Sequence, residues 1–159
     1  MYEDVEFRPV VNIKVKKVYD ETPPWPPTTL PSYGSTEAAC ADIRAYGSYV
    51  IQPGEHVAVG TGLAFEIPFG YEIQVRARSG LSKRGLMISN GIGTIDSDYV
   101  GEIKVLCYNT TKEPFLISHG ERIAQVIPVP VTKAKFQLVD ELTKETERGA
   151  GGFGSSGVF

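Results

Sequence analysis

The stretch GIGTIDSDYVG, residues 91–101, holds two carboxylates and a phenol between glycines. A carboxylate on a stiff scaffold can orient a water and take its proton. Asp96 and Asp98 are therefore candidate water activators, and the Tyr99 ring beside them can fill space against a sugar. Asn90, just before, carries one acceptor and two donors, which suits reading a base edge. Turns also favour aspartate and asparagine for purely local reasons. A second stretch, ARSGL at 77–81, sets the planar five-donor fork of Arg78 beside the Ser79 hydroxyl, with the chain turning at Gly80. That pair at a strand end suits a phosphate. In GERIAQ, residues 120–125, Arg122 and Gln125 open an apolar run, and a buried Gln125 amide would need partners. In AACADIRA, Asp42 stands among small residues.

The fifth segment is the terminal RGAGGFGSSGVF, residues 148–159, which joins a guanidinium and an aromatic ring to many glycines. Its G-x-G-x-x-G spacing at Gly149, Gly151 and Gly154 imitates a dinucleotide-binding turn, but only five residues follow Gly154, too few for the required helix. Free backbone amides on such a run can instead wrap an anion. Its plainer reading is a disordered, solubilising end. Taken together, the five clusters supply phosphate donors, a base-edge reader, a ring for stacking and a water activator, the set a nucleotide hydrolase needs.

These groups must be positioned by strands. Val11, Ile13 and Val15 alternate with polar residues, as do Ile73, Val75 and Ala77. Further runs cover Ala41–Gly47, Val57–Val59, Leu63–Ile67, Glu102–Tyr108, Arg122–Pro130 and Ala134–Val139, with turns at Pro53-Gly54 and Pro68-Phe69-Gly70. The prolines of residues 20–38 predict a rigid extended loop, with Trp25 anchoring it to the body. Only the SKRGLM segment near Ser82 and residues 140–147 suggest short helices. Short strands between Gly/Pro turns indicate an all-β barrel or sandwich.

A length of 159 residues suits one domain, and a net charge of -3 advertises no nucleic-acid partner. Two cysteines, Cys40 and Cys107, without a histidine cluster suggest neither a disulfide framework nor a zinc site. The sequence has no apolar run of membrane-spanning length and no signal-peptide pattern at its start, so a cytoplasmic protein, or one in an intracellular host compartment if viral, is expected.

The motifs AACADIRA, ARSGL, NGIGTIDSDYVGEI, GERIAQ and RGAGGFGSSG, in this order over nearly the whole chain, resemble those of the homotrimeric dUTPases, the deoxyuridine 5′-triphosphate nucleotidohydrolases. The resemblance implies a jelly-roll-like β-barrel over residues 1–147 and a flexible glycine-rich lid over 148–159. It implies a homotrimer whose active sites are shared between subunits, no membrane, and Mg²⁺-dependent hydrolysis of dUTP to dUMP and pyrophosphate by water attack on the α-phosphorus. Asp96 resembles the family's general base, and Tyr99 the ring that packs on deoxyribose. Asn90 with Gly93, Thr94 and Ile95 would read uracil. Arg78, Ser79, Gly80 and Gln125 would hold phosphates. Arg148, Gly152, Gly154, Ser155 and Ser156 would clasp the outer ones, and Phe153 would stack on the base. Asp42 resembles the first-motif aspartate, placed near metal-bound waters. No covalent nucleophile is implied, so Cys107 reads as a strand residue.

Three departures stand out. Cys40 occupies a position that is usually glycine, the segment around DETPPWPP is longer than the common form, and Val158 and Phe159 extend past the usual end of the fifth motif. Two other readings stand beside the hydrolase. The related dCTP deaminases activate water with a glutamate and carry an Arg-Ser-Ser-type motif, where this chain has Arg78-Ser79-Gly80. A non-catalytic, nucleotide-sensing regulatory protein could also retain the same scaffold.

Overall fold

Period-two alternation becomes strand where a neighbouring strand exists to take up its backbone hydrogen bonds. The computed structural model describes residues 9–19 and 25–152. Among these residues eleven strands and one short helix follow in order: β1 (Lys14–Lys17), β2 (Ser32–Tyr33), β3 (Ala41–Arg44), β4 (Tyr49–Ile51), β5 (His56–Glu66), β6 (Tyr71–Arg76), α1 (Ser79–Lys83), β7 (Leu86–Ile88), β8 (Gly93–Ile95), β9 (Glu102–Asn109), β10 (Phe115–Ile117) and β11 (Arg122–Pro130). They form a four-stranded sheet β1-β5-β9-β7, a five-stranded sheet β2-β3-β11-β6-β8 and the pair β10-β4. Every pairing is antiparallel. The result is the all-β, jelly-roll-like barrel that the sequence predicts.

The inner faces meet in one core. Val59, Leu63, Ile103 and Val105 from one sheet pack with Ile43, Ile73, Val75, Ile123 and Val126 from the other. Full burial of each such aliphatic side chain contributes roughly 1.5–3 kcal/mol, so this core holds the scaffold and leaves the outer polar residues free for other work. One buried polar group is fully answered. Asn109 donates to the carbonyls of Ile51 and Glu113 at 2.9 and 2.8 Å and accepts from the amide and hydroxyl of Thr111 at 2.9 and 2.8 Å.

The two runs expected on either side of Gly60 and Gly62 are a single strand, β5, whose register against β9 shifts between Gly60 and Ala64. The slack is taken up at Gly62, in the left-handed region at φ +67, whose amide donates to the Glu102 carboxylate at 2.9 Å. Helix α1 starts at Ser79, three residues before the SKRGLM segment, and that segment's Leu86 and Met87 belong to β7 instead. Residues 134–139 form no strand, and residues 140–147 form no helix. Beyond Pro130 the described chain lies exposed almost throughout, with Phe136 94% and Leu138 99% accessible.

The proline-rich segment is tied down where it is described. Trp25 stacks on His119 with centroids 5.2 Å apart, and His119 Nδ1 accepts the Gly47 amide at 2.9 Å. The Thr28 hydroxyl donates to the Thr61 carbonyl at 2.9 Å. This strap lays β2 against β3, setting Ser32 opposite Asp42.

Candidate active site

The five-stranded sheet carries the phosphate-type residues in one cross-strand row. Asp42 on β3 stands opposite Gln125 on β11, which stands opposite Arg76 on β6. Their neighbours Ile43, Ala124, Val126 and Val75 point into the core, so alternation sends this row to the outer face. Arg78, two residues past β6, folds back over it. Its Nε donates to Asp42 Oδ1 at 2.9 Å, and its Nη1 donates to the Arg122 carbonyl at 3.1 Å. Arg122 Nη1 donates to Asp42 Oδ2 at 3.1 Å, and Gln125 Nε2 reaches Oδ1 at 3.5 Å. The Asp42 side chain is 7% exposed, against 24% for Arg78 and 47% for Arg122. Two forks therefore share one buried carboxylate and keep donors facing solvent. Ser79 and Gly80 open α1 beside them and are exposed.

The second group lies on β8 and the turn after it. Thr94 is opposite Gln74, and Ile95 is opposite Ile73. Gly93 lies at a close approach: a Cβ there would lie 3.2 Å from Val75 Cβ, a tight contact, and 3.5 Å from Asn90 Nδ2. The Asn90 amide thus rests against the strand it precedes. Asp96 follows β8 and is exposed, and no side-chain hydrogen bond engages its carboxylate among the described residues. The Tyr99 amide donates to the Asp96 carbonyl at 3.1 Å, closing the turn, and the Tyr99 hydroxyl donates to the Glu102 carbonyl at 2.9 Å. A cavity of about 220 Å³ is lined by Thr94, Ile95, Asp96, Tyr99, Glu102 and Lys104. Ligand pockets commonly span about 300–1,000 Å³, so this one is small for a complete nucleotide.

The structure brings Asp42, Arg78 and Gln125 together, and brings Asn90, Gly93, Thr94, Ile95, Asp96 and Tyr99 together. It does not join the two groups. β3 and β8 are three strand spacings apart, and Asp42's row meets β6 at Arg76, three residues from Ile73. At about 4.8 Å per spacing and 3.3 Å per residue, Asp42 and Ile95 are about 17 Å apart across the sheet.

Arg148 turns onto its own segment, Nε donating to the Gly151 carbonyl at 2.8 Å, and Gly152 is exposed. Phe153, Gly154, Ser155 and Ser156 lie outside the described residues. Arg122 stands out in the sequence only as a polar strand start, and its tie to Asp42 spans 80 residues, which no local pattern announces. Glu102 is also new: its side chain, 10% exposed, takes the Gly62 amide and the Tyr19 hydroxyl. Burial, then the hydrogen bond to Glu102, raises the Tyr19 phenol above its ordinary value. Burial pushes the Cys107 thiol up to about 11, so it carries almost no thiolate at neutral pH and is no nucleophile.

Among the described residues no group of three His, Cys, Asp or Glu could hold a metal ion. Asp42 is a single carboxylate already facing two cations. With both oxygens taken by guanidinium groups, that donor set gives no cage of its own and fits Mg²⁺ only through the waters this ion typically keeps, the ion itself being held by substrate phosphates.

The dUTPase family profile matches residues 27–157. A deoxyuridine 5′-triphosphate nucleotidohydrolase of Nautilia profundicola is 50% identical over 148 residues, 92% of this chain and 99% of that one. One from Bdellovibrio bacteriovorus is 52% identical over 131 residues, 80% of this chain and 87% of that one. A Staphylococcus bacteriophage 80alpha dUTPase, solved with dUPNHPP, superposes with a TM-score of 0.78 at 28% identity, covering 92% of this chain and 99% of its own. A dUTPase from phage phi11 of S. aureus, described with a structural Mg(II) ion, superposes at 0.71 over 82% of this chain and 97% of its own; at 22% identity it bears on the fold alone.

Proposed function

The chain belongs to the dUTPase family, and from that premise we propose that it hydrolyses dUTP to dUMP and pyrophosphate with the two residue groups above as halves of one site. The observation that carries this reading is the pairing of a carboxylate unengaged among the described residues, Asp96, with a ring, Tyr99, on one small cavity. A water hydrogen-bonded to Asp96 gives up its proton to that carboxylate as its oxygen bonds to the α-phosphorus. The bond from that phosphorus to the α,β-bridging oxygen breaks, and its electrons leave with pyrophosphate. Tyr99 packs on the deoxyribose. Asn90 and the backbone of Gly93, Thr94 and Ile95 read uracil, a pocket in which a C5 methyl clashes and an exocyclic amine meets another donor.

The forks of Arg78 and Arg122, with Ser79, Gly80 and Gln125, take the phosphates. Their charge stabilises the developing negative charge because Asp42 has already oriented them. Mg²⁺, when bound, would be held by the substrate phosphates and would neutralise their charge, with Asp42 meeting it through its waters. From the terminal segment, Arg148, Gly152, Gly154, Ser155 and Ser156 close over the outer phosphates, and Phe153 stacks on the base.

The two halves are about 17 Å apart in one chain, so we infer that Asp96 of one subunit works with Arg78 of another in a homotrimer. Exposed Phe136, Leu138 and Leu142 support such an assembly, since apolar side chains this accessible on a segment without its own sheet favour cover by a partner. No helix among the described residues is long and apolar enough to cross a membrane.

The test offers dUTP, dCTP, dTTP and UTP separately with Mg²⁺ and follows pyrophosphate release and base identity. The expected outcome is dUMP from dUTP, with at most slow cleavage of the other three. Uracil products from dCTP would establish a deaminase, and inertness toward all four would leave a nucleotide-binding module.

A further inference from the structure

Tyr99 folds back along its own chain. Its hydroxyl donates to the carbonyl of Glu102, three residues on, at 2.9 Å, so the ring must cross residue 101. That residue is Gly101. A Cβ there would lie 2.6 Å from the Tyr99 Oη, 2.8 Å from Cζ and 3.2 Å from Cε2. Two of these approaches are shorter than side chains tolerate, and the atoms approached are the far end of the ring, so a side chain at 101 moves the ring off this position. The backbone at Gly101 is outside the left-handed region, so an L-residue fits there once the ring leaves. Tyr99 is 45% exposed and has solvent to swing into.

The other end of the seat is rigid. Glu102 pairs with Ala64 at the irregular register of β5 and β9. Its carboxylate accepts the Gly62 amide at 2.9 Å and the Tyr19 hydroxyl at 3.1 Å, with Lys104 Nζ at 3.7 Å. Gly60 leaves the room for this: a Cβ at 60 would meet Glu102 Oε1 at 2.7 Å. These contacts anchor Glu102, and with it the carbonyl that receives the Tyr99 hydroxyl.

We propose that Gly101 and the Glu102 carbonyl form the seat that fixes the Tyr99 ring, and that this seat sets discrimination between deoxyribose and ribose. Gly101 and Glu102 are positioning residues: they act through the ring. The inference rests on the reading of Tyr99 as the sugar-facing wall. With the ring seated, it fills the space a 2′-hydroxyl would need. With the ring displaced, the cavity shared with Asp96 widens on that side and admits the ribonucleotide. Stability changes little, because the half-exposed ring leaves no core cavity behind.

The experiment measures kcat/KM for dUTP and for UTP, with Tm, in the wild type, Gly101→Ala, Tyr99→Ala and the double variant. Gly101→Ala is expected to lower the dUTP/UTP ratio by about tenfold or more, the scale of a lost steric sieve. Its Tm should move by less than about 3 °C. Tyr99→Ala should lower the ratio at least as far, and the double variant should add nothing to it, since both changes act on one ring. A wild-type ratio in Gly101→Ala beside a collapsed ratio in Tyr99→Ala overturns the seat while the sugar-wall reading stands. A wild-type ratio in Tyr99→Ala removes that reading and the seat with it. A Gly101→Ala loss that doubles when Tyr99 is also removed assigns Gly101 a different role and likewise overturns the proposal.

Discussion

Asp42 lies in the five-stranded sheet and Asp96 one residue past its edge strand β8, yet the first is 7% exposed between two guanidinium forks, while the second lies open with its carboxylate unengaged among the described residues. The difference follows from position. Asp42 sits inside a strand with β2 on one side and β11 on the other, so anything near it is fixed by the ladder. Asp96 comes just after the short edge strand β8, in a turn closed by a single backbone bond to Tyr99. A carboxylate that must hold cations in place benefits from the first setting. One that must give a lone pair to a water needs the second, because any fixed donor would compete with the water.

The sharpest way to break this comparison is Asp96→Asn. The amide keeps the shape and loses the basic oxygen. The change is expected to lower kcat by about 10²–10⁴-fold with nucleotide affinity nearly unchanged, the range for removing a positioned base. Single-turnover hydrolysis set beside calorimetric binding of a non-hydrolysable analogue would read both. Near-normal turnover would pass the base role to Asp98 and leave Asp96 a turn residue.

How much of this contrast can be read in the sequence depends on range. The strings holding Asp96 and Tyr99 are contiguous, so motif and chemistry are visible together, and the alternation of β6, β9 and β11 foretells their strands. β2, β7, β8 and β10 are two or three residues long, too short for a period to register. The Asp42 cluster joins residues 36, 80 and 83 positions apart, and only the fold makes them neighbours. Residues 134–139 fail the opposite way: their pattern suits a strand, but no neighbour pairs with it among the described residues. An alternating apolar run states a demand for a partner strand and is silent on which chain supplies it.

A smaller effect should come from Asp42→Ala. Both forks lose their shared counter-charge. Breaking a fully buried pair costs about 3–5 kcal/mol, but Arg78 and Arg122 are 24% and 47% exposed and water can reach them, so roughly 1–3 kcal/mol is expected. Chemical denaturation would show it as a lower midpoint at unchanged m. The freed forks should also hold phosphate less well, raising KM by about tenfold. A variant as stable as wild type with normal KM would mean the forks orient themselves, and the contrast between the two aspartates would lose its meaning.

Arg122→Ala should do least, and it is the finest probe of what the cluster is for. Arg122 is the more exposed fork and touches Asp42 through one nitrogen, whereas Arg78 is also tied to the Arg122 carbonyl, which the substitution retains. Asp42 keeps its 2.9 Å partner, so stability should fall by less than about 1 kcal/mol, as for a solvated pair. If the cluster existed only to satisfy itself, KM for dUTP would then stay put. If Arg122 spends its outward donors on phosphate, KM rises by about three- to tenfold with kcat little changed, the signature of uniform binding lost. Added salt separates the two further: screening weakens phosphate capture in the wild type more than in the variant, which has already given up that charge.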